Sequence, residues 1–346
     1  MNRSMGLVGV LFIVAATDAG IVNADDFHRD AVRRATEKGL VILERGAKAY
    51  PSHESCFSCH HQTLSMLAMT EASKAGIRFD SELMHEQATF TRKSFDERKG
   101  RLSKGEHVGG RAATVSYGLW TFQLAGDSPD ELSEAMTGYL LSVQQPDGRW
   151  KPPSNRPPLE ESPISCTVLS AIGIKRFASQ AQEGRVAEAI ERATTWLSTA
   201  PLNDQEDLNF AMWGEILLGG TPERAATLIN RIRDARQADG GWSQITALNS
   251  DAYATGQTLF VLMESGLGVD EACIREGVAY LIETQHDDGS WHVVSRSKPI
   301  QPWFDNGDPH DKDQFISFTA TGWATAALAR SLRPTSKVGP SAEKTQ

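Results

Sequence analysis

The chain has 346 residues, of which 40% are hydrophobic and 23% are charged, and its formal net charge is -9. This composition is ordinary for a globular protein, and the length allows one large domain or two domains of common size. The acidic balance excludes a nucleic-acid backbone as the main partner, because neutralising phosphates requires a basic face.

Residues 1–24 have the pattern of a cleaved secretory signal. Arg3 supplies a positive charge, residues 5–16 form an apolar run, and residues 22–24 place small side chains where a signal peptidase cuts. The run is too short for a transmembrane helix, and no later stretch of the sequence is both long enough and apolar enough to be one. We therefore predict an exported protein, periplasmic or secreted, whose mature chain starts at Asp25.

The first chemical motif is Cys-x-x-Cys-His at residues 56–60. In an exported chain this spacing is typical of covalent c-type haem attachment, with Cys56 and Cys59 bonded to the macrocycle and His60 as a metal ligand of the iron. The pentapeptide is similar to that of cytochromes c, and the similarity extends no further. Three alternatives stay open: a disulfide between the two cysteines, no cofactor, or a zinc ion that the thiols share with His60, His61 or His53.

A turn motif recurs three times after a predicted amphipathic helix, at residues 144–150, 237–242 and 285–291. Each copy begins with Gln, continues through Asp-Gly and ends with Trp. The Asp-Gly pair suits a tight turn at a helix end, and the Trp can pack back over that end. The second and third tryptophans are 49 residues apart, and a degenerate unit lies between the first and the second. This period predicts one helical hairpin per repeat.

Extending the period along the chain gives six hairpins, each with a charged outer helix and an apolar, small-residue inner helix. Repeats of this period form solenoids or closed arrays, and the unequal inner and outer layers favour closure. The sequence therefore predicts an all-α fold, an (α/α)6 toroid over residues 25–333, followed by a disordered tail at residues 334–346. Because the helices alternate in direction, every long link from an outer to an inner helix should emerge on one face, where we expect the functional site.

The three turn motifs resemble the Gln…Gly-x-Trp repeats of the squalene–hopene cyclases, and residues 250–266 are similar to an inner helix of the protein prenyltransferases. This resemblance implies an apolar, isoprenoid-like ligand in a central cavity lined by aromatic residues: Trp120, Phe122, Trp213, Phe260 and Trp323. The catalytic motifs of the family do not carry over. We find no Asp-x-Asp-Asp tetrad, and Ala254 stands where the prenyltransferases have a zinc-binding histidine.

The longest link, residues 286–314, carries the remaining candidates. In a closed ring the last hairpin lies beside the first, so this link should lie next to residues 56–60. We predict that His310 or His292 approaches the free side of the iron, as a second metal ligand or as a catalytic acid–base group. In a protein without haem, the acid that replaces the missing tetrad would come from a set of four aspartates: Asp251, Asp305, Asp308 and Asp313.

Three functions are compatible with these features. The first is an exported haem protein that performs electron transfer or redox chemistry on an apolar ligand, together with a redox partner protein. The second is a terpene-cyclase-like enzyme without haem. The third is a non-catalytic module that binds a lipid or a protein and is stabilised by a disulfide between Cys56 and Cys59.

Overall fold

The computed structural model describes residues 24–298 and 304–333, so the predicted tail and all but the last residue of the predicted signal segment lie outside it. Within these ranges the chain has thirteen α-helices, and its only strand-like contact is an isolated bridge between Arg156 and Glu160. None of these helices is long and apolar enough to cross a membrane. The helices are α1 (Ala24–Ala49), α2 (Ser65–Lys74), α3 (Ser81–Asp96), α4 (Lys99–Ser103), α5 (Arg111–Leu124), α6 (Glu131–Val143), α7 (Pro163–Phe177), α8 (Glu183–Thr199), α9 (Gln205–Leu218), α10 (Pro222–Asp234), α11 (Ala252–Glu264), α12 (Ala272–Thr284) and α13 (Gln314–Ser331).

Twelve of the helices pair as six hairpins: α1/α2, α3/α5, α6/α7, α8/α9, α10/α11 and α12/α13. The second members form an inner ring in which each helix contacts the next, and α13 contacts α2 to close the ring. The outer helix α10 buries only Leu228 and Ile232, whereas the inner helix α11 buries nearly every residue. The predicted (α/α)6 toroid is therefore confirmed, with amphipathic helices outside and apolar helices inside.

The tryptophans of the turn motif fasten each turn to its own outer helix. Trp150 donates its indole N–H to the carbonyl of Leu140 at 2.8 Å, and the same bond, to a carbonyl ten residues earlier, recurs at Trp242 and Trp291. All three indoles are buried. A large apolar ring with one satisfied polar group thus ends the outer helices α6, α10 and α12, where the chain begins its return to the inner layer.

The last copy of the turn also closes the ring. Gln285 donates its side-chain amide to the carbonyl of Ala35 in α1 at 2.8 Å, across 250 positions of sequence. Gly289 has φ +95°, and the carbonyl of Lys38 occupies the place where a Cβ would stand. Only glycine fits here, because it tolerates this φ and has no side chain. The contact joins the sixth hairpin to the first.

All inner helices begin at one rim of the toroid, which we call the mouth. Side chains in the links satisfy the free N–H groups of their first turns: Ser162 caps α7, Asp204 caps α9 and Asp251 caps α11. The long links also contact one another across this rim. The Ser297 hydroxyl donates to the carbonyl of Pro157, and Arg296 donates to the side chain of Gln244. The predicted gathering of long links on a single face is confirmed.

Candidate functional site

Aromatic rings from four inner helices meet at the centre of the toroid. Trp120 of α5 lies 5.0 Å from Trp213 of α9 and 6.0 Å from Trp323 of α13, between ring centroids, and Phe260 of α11 lies 5.5 Å from Trp323. Because α5, α9 and α13 are alternate members of the six-helix ring, their side chains can touch only at the axis. These four predicted residues therefore meet at the axis, and the ligand cavity that they were expected to line stays a prediction.

Phe122 has a different place. Its ring packs against Phe95 of α3 and Phe177 of α7, and the guanidinium of Arg92 lies over its face. These partners lie between the inner and outer layers. The prediction that Phe122 lines the central cavity is wrong, because its position two residues after Trp120 turns it to the opposite side of the helix.

A carboxyl group is buried in the mouth end of the interior. Glu206 lies in the first turn of α9, seven residues before Trp213 and therefore on nearly the same helix face. One oxygen, Oε2, accepts hydrogen bonds from the Tyr253 hydroxyl at 2.8 Å and from the Gln257 amide at 2.9 Å. The other oxygen, Oε1, has no hydrogen-bond partner among the residues described.

Burial dominates the acid–base behaviour of Glu206. It raises the pKa of the carboxyl to about 8, although the hydrogen bonds from Gln257 and Tyr253 lower it, and the neighbouring Asp204 and Asp207 raise it further. At neutral pH the group is therefore mostly protonated. A neutral carboxylic acid held in an apolar interior is a proton donor suited to general acid catalysis.

Glu206 belongs to a motif that the sequence predictions missed. Residues 204–207 read Asp-Gln-Glu-Asp, which differs from Asp-x-Asp-Asp by one methylene group at the third position. Asp204 accepts from the backbone of its own helix, and Asp207 accepts from the Ser162 hydroxyl at 2.6 Å. The Asp-x-Asp-Asp pattern requires aspartate at the third position, where this chain has Glu206. A run of carboxylates at the start of an inner helix was the signal that could have found it.

The Cys-x-x-Cys-His segment lies at the mouth, in the link between α1 and α2. Residues 59–64 form a π-helical turn that continues into α2, and Cys59 and His60 are mostly buried without being fully enclosed. Burial raises the pKa of the Cys59 thiol to about 12, Glu160 raises it further, and Arg156 lowers it. Burial also lowers the pKa of His60 to about 3, and the charges of His61 and Arg156 lower it further. At neutral pH the thiol is protonated and the imidazole is neutral.

The donor groups of this segment fit covalent haem attachment. Both thiols are free, with Cys56 Sγ 3.9 Å from the Tyr50 hydroxyl and Cys59 Sγ 3.8 Å from His60 Nδ1. Nδ1 of His60 also lies 3.2 Å from Ser58 Oγ, whereas Nε2 makes no hydrogen bond to any described residue, so Nε2 is the nitrogen available to a metal. Within residues 24–298 and 304–333, no three His, Cys, Asp or Glu side chains are grouped so that they could hold a metal ion.

The late link does pack against this segment, as predicted, but through other residues. His61 Nε2 lies 2.6 Å from Asp308 Oδ2 and 3.2 Å from the Asn306 amide. The imidazole of His61 is fully buried between the rings of Tyr50 and Phe318, each 4.4 Å away. Asp308, one of the four predicted acids, is therefore the buried partner of a histidine in the first hairpin.

His310 and His292 make different contacts from those predicted. His310 Nε2 lies 2.8 Å from Ser290 Oγ, and His292 Nε2 lies 2.9 Å from Asp313 Oδ2. The two imidazoles stack on each other at 4.7 Å. Neither contacts His60 in the part of the chain that the structure describes. Their role as metal ligands or as acid–base groups stays a prediction without a contact to support it.

The other predicted acids form local bonds. Asp251 caps α11 by accepting from the Ala254 N–H at 2.9 Å, and it accepts from Gln244 at 3.0 Å. Burial raises its pKa to about 6. Asp305 is exposed and accepts from the Gly307 N–H at 2.8 Å. Unlike Glu206, Asp251 has partners on both oxygens, and Asp305 is exposed rather than buried.

Comparisons with known proteins identify the fold. No protein-family model and no curated protein sequence matches this chain. Among solved structures, the chain is similar to the type II terpene cyclase MstE from Scytonema, with a TM-score of 0.55 and 13% identity over 87% of this chain and 98% of that one. It is also similar to a glycosidase variant, with a TM-score of 0.60 and 10% identity over 90% and 99% of the two chains. These identities show a shared α/α toroid fold.

Proposed function

We propose that the protein is an acid-initiated cyclase of a linear isoprenoid and that Glu206 is the acid. The observation that carries this proposal is the protonated, buried carboxyl group of Glu206, whose Oε1 has no partner among the described residues and whose Oε2 is held by Tyr253 and Gln257. The proposal replaces the predicted aspartates with a residue that combines burial, a raised pKa and an inward position.

The reaction follows from these groups. Glu206 transfers its proton to one carbon of a terminal double bond, and the other carbon becomes a tertiary cation. The π electrons of the next double bond attack this cation and form a ring. The cyclic cation then releases a proton to solvent and the Glu206 carboxylate takes up another, so the acid is restored and the product is an isomer of the substrate. Because the hydrogen bonds from Tyr253 and Gln257 strengthen as charge develops on the carboxylate, they favour the transition state over the ground state.

The interior is suited to a cationic intermediate. The aromatic rings of Trp120, Trp213 and Phe260 meet at the axis beyond Glu206, and each is nearly or fully buried. An aromatic face stabilises a desolvated cation by roughly 0.5–2 kcal/mol. The same rings exclude the water that would trap the cation as an alcohol.

The structural comparisons are consistent with an apolar ligand. Variants of MstE have been solved with geranylgeranyl dihydroxybenzoate as substrate and with merosterolic acid A as product. A glycosidase variant of the same fold has been solved with glucose. A sugar needs many free polar partners, whereas the polar side chains beside Glu206, namely Asn209, Gln257 and Thr258, are bonded to one another or to Glu206. The isoprenoid is therefore the better proposal, and the two ligand classes can be compared in one assay.

The test is turnover by matched variants. Purified protein would be incubated with geraniol, farnesol, geranylgeraniol and an aryl glucoside, and the products separated by gas chromatography with mass detection. We expect cyclic isomers of a prenyl alcohol and no release of glucose. Glu206→Gln, which keeps the shape but cannot donate an acidic proton, should lower the rate at least ~100-fold. Glu215→Gln, at the far end of the same helix, should leave it unchanged. Full activity of Glu206→Gln, or hydrolysis of the glucoside, would refute the proposal.

A covalent haem is a second proposal for the mouth. It is supported by the two free thiols and by the neutral imidazole of His60 with its available Nε2. Cys56 and Cys59 would hold the macrocycle, and His60 would ligate the iron. When bound, the haem would supply one-electron transfer, and a redox partner protein would be required. Binding of a prenyl alcohol with neither turnover nor haem would favour the non-catalytic alternative.

Mass spectrometry tests this second proposal together with the proposed export. The full chain would be produced in a host with a cytochrome c maturation system, and the intact mass and a pyridine haemochrome spectrum measured. We expect a mature chain that starts at Asp25 and carries the added mass of one haem. The Cys56→Ala/Cys59→Ala variant should lack the haem mass, and the control variant Cys166→Ala should retain it. A mature mass without haem would refute covalent attachment.

A further inference from the structure

We infer that the rim of the mouth holds a second ligand site, separate from Glu206, and that this site binds a neutral carbohydrate. The site is a cavity of about 550 Å³, which we call the rim pocket. It lies between the link that precedes α9, the end of α10 and the link residues 243–249. Small-molecule sites in proteins commonly have volumes of roughly 300–1,000 Å³, so the rim pocket has room for a small sugar.

The rim pocket faces away from the proposed acid. Asp204, which caps α9, and Leu208 both line it, and they are four residues apart on the same side of this helix. Glu206 lies midway between them in sequence and points to the other side, because two residues of an α-helix turn by about 200°. Its carboxyl group bonds to Tyr253 and Gln257 of α11 instead. A ligand of the rim pocket therefore lies on the opposite side of α9 from this carboxyl group.

Polar side chains from three separate segments line the rim pocket. Six of them are Asn203, Asp204, Arg231, Asp234, Thr246 and Asn249. All of these except Asp204 are exposed, and all except Asp204 and Arg231 have side chains without a hydrogen bond among the residues described. Arg231 donates only one long bond, of 3.4 Å, to a backbone carbonyl. The cavity thus offers both donors and acceptors, which suits sugar hydroxyl groups because each can donate and accept.

The charges of the rim pocket favour a ligand that is neutral. Its lining has two carboxyl groups, those of Asp204 and Asp234, and one cation, Arg231. An anion would be repelled by the two carboxyl groups, and a cation by the guanidinium. Burial raises the pKa of Asp204 to about 6, and the charge of Asp207 raises it further. A hydroxyl group can donate to this carboxyl group without bringing a further charge into the cavity.

Hydrogen bonds fix the walls of the rim pocket. The Gln205 N–H donates to the carbonyl of Gln244 at 3.1 Å and joins the two links. Gln237 donates its side-chain amide to the carbonyl of Leu248 at 2.8 Å, and the Leu248 N–H donates to the carbonyl of Ile245 at 3.0 Å. Leu248 is itself 38% exposed and gives the C–H face of a sugar ring an apolar surface. Because the walls are already held, little loop ordering opposes binding.

Titration of the purified protein with sugars tests the inference. Glucose, maltose, cellobiose and N-acetylglucosamine would be measured by saturation-transfer NMR, with inorganic phosphate as the anionic probe and spermidine as the cationic probe. We expect at least one sugar to bind with a Kd on the order of 1 mM, which corresponds to a few net hydrogen bonds. Neither phosphate nor spermidine should displace it.

Matched variants locate the bound sugar. Asn249→Ala and Asp234→Ala each remove an exposed polar group from the lining, so folding should not change. Each variant should weaken sugar binding by roughly three- to tenfold, because a hydrogen bond to the ligand is lost. Asn230→Ala is the control, since Asn230 is exposed on α10 but does not line the rim pocket, and it should leave the Kd unchanged. Circular dichroism checks folding in each case.

The outcomes separate this inference from the proposed cyclase. The absence of binding by every sugar at about 50 mM, or binding that Asn249→Ala and Asp234→Ala both leave unchanged, would overturn the carbohydrate site. Displacement of the sugar by phosphate or spermidine would overturn the assignment of a neutral ligand. Sugar binding that these variants weaken, in a protein that forms no cyclic product, would support the rim pocket and refute the cyclase.

Discussion

The Tyr253 hydroxyl donates a 2.8 Å hydrogen bond to the Glu206 carboxyl group across the interface between the inner helices α11 and α9. The bond joins two adjacent hairpins and is completely buried. It fixes which carboxyl oxygen is occupied and leaves Oε1 for the proton that would be donated. Because burial keeps the pKa of Glu206 at about 8, small changes in this environment alter activity and stability in predictable directions.

Tyr253→Phe should shift the alkaline limb of the pH–activity profile upward. The hydrogen bond from Tyr253 lowers the pKa of Glu206, so its loss raises that pKa and keeps the acid protonated at higher pH. The maximal rate should fall roughly tenfold, because the developing carboxylate loses one of its two donors. Rate measurements across the alkaline range check both effects. A downward shift of the limb would contradict the assignment of Glu206 as the acid.

Stability should fall with rising pH in a way that depends on Glu206. The carboxyl has its ordinary pKa of 4.5 in the unfolded chain and a pKa of about 8 in the folded protein. The raised pKa contributes stability that is full below pH 4.5 and is lost as the pH rises toward 8, at no more than about 1.4 kcal/mol per pH unit.

Urea denaturation of Glu206→Gln alongside the parent measures this contribution. The free energy of unfolding of the parent relative to the variant should decline across the window from pH 4.5 to 8 and level off beyond it. Burial also raises the pKa of Asp204 and Asp251 to about 6, but these groups titrate in both proteins and cancel in the difference. Parallel stability curves for the two proteins would show that Glu206 is ionised in the fold.

Removal of the His61 imidazole should strongly destabilise the protein. His61→Ala removes a ring packed between Tyr50 and Phe318 and leaves the buried side chain of Asp308 without its hydrogen-bond partner, which costs on the order of 3–5 kcal/mol of unfolding free energy. The exposed Asp305→Asn in the same link is the control and should change stability by less than ~0.5 kcal/mol. Denaturant unfolding measures both. A cost below ~1 kcal/mol for His61→Ala would show that the late link does not depend on this contact.

Native Cys59 should react slowly with alkylating reagents. Burial raises the pKa of its thiol to about 12, so the reactive thiolate is a fraction on the order of 10⁻⁴ at pH 8. Cys166, whose pKa burial also raises to about 12, should behave alike, and both should react fully after denaturation. Peptide mass spectrometry of iodoacetamide-treated protein measures this. Protection that survives denaturation would instead indicate that the thiol is covalently modified, as haem attachment requires.

The fold was predictable because its specification is local and repeated. Each Asp-Gly-Trp turn ends an outer helix through a bond within its own repeat, such as that of Trp150 with Leu140. The three hairpins without this turn, among them α8/α9, were also predicted correctly, because helix periodicity alone specifies an amphipathic outer and an apolar inner member. Such features can be read from a single stretch of sequence.

The candidate site depends on contacts between distant segments, which sequence patterns do not contain. In the sequence, Glu206 is one of three carboxylates at a helix start, where acidic residues commonly interact with the helix dipole. Its raised pKa arises only when the toroid buries it, and the hydrogen bonds that orient it come from Tyr253 and Gln257 of α11. Asp308 depends on a distant residue in the same way, since its partner His61 lies 247 positions earlier. Ring closure predicts that the link carrying His61 lies beside the link carrying Asp308. The sequence does not predict that these two side chains form a hydrogen bond.

The hydrogen bond from Gln285 to Ala35 has a consequence for how the protein is made. The helix α1 gains one of its two neighbours only when the sixth hairpin, α12/α13, has been synthesised. Until then the growing chain exposes the apolar surface that this hairpin later covers. Contacts of such sequence separation form slowly, and incomplete chains are prone to aggregate. Truncation after α11 should therefore yield an insoluble product rather than a smaller ring, and the late hairpin is the step on which chaperones would act.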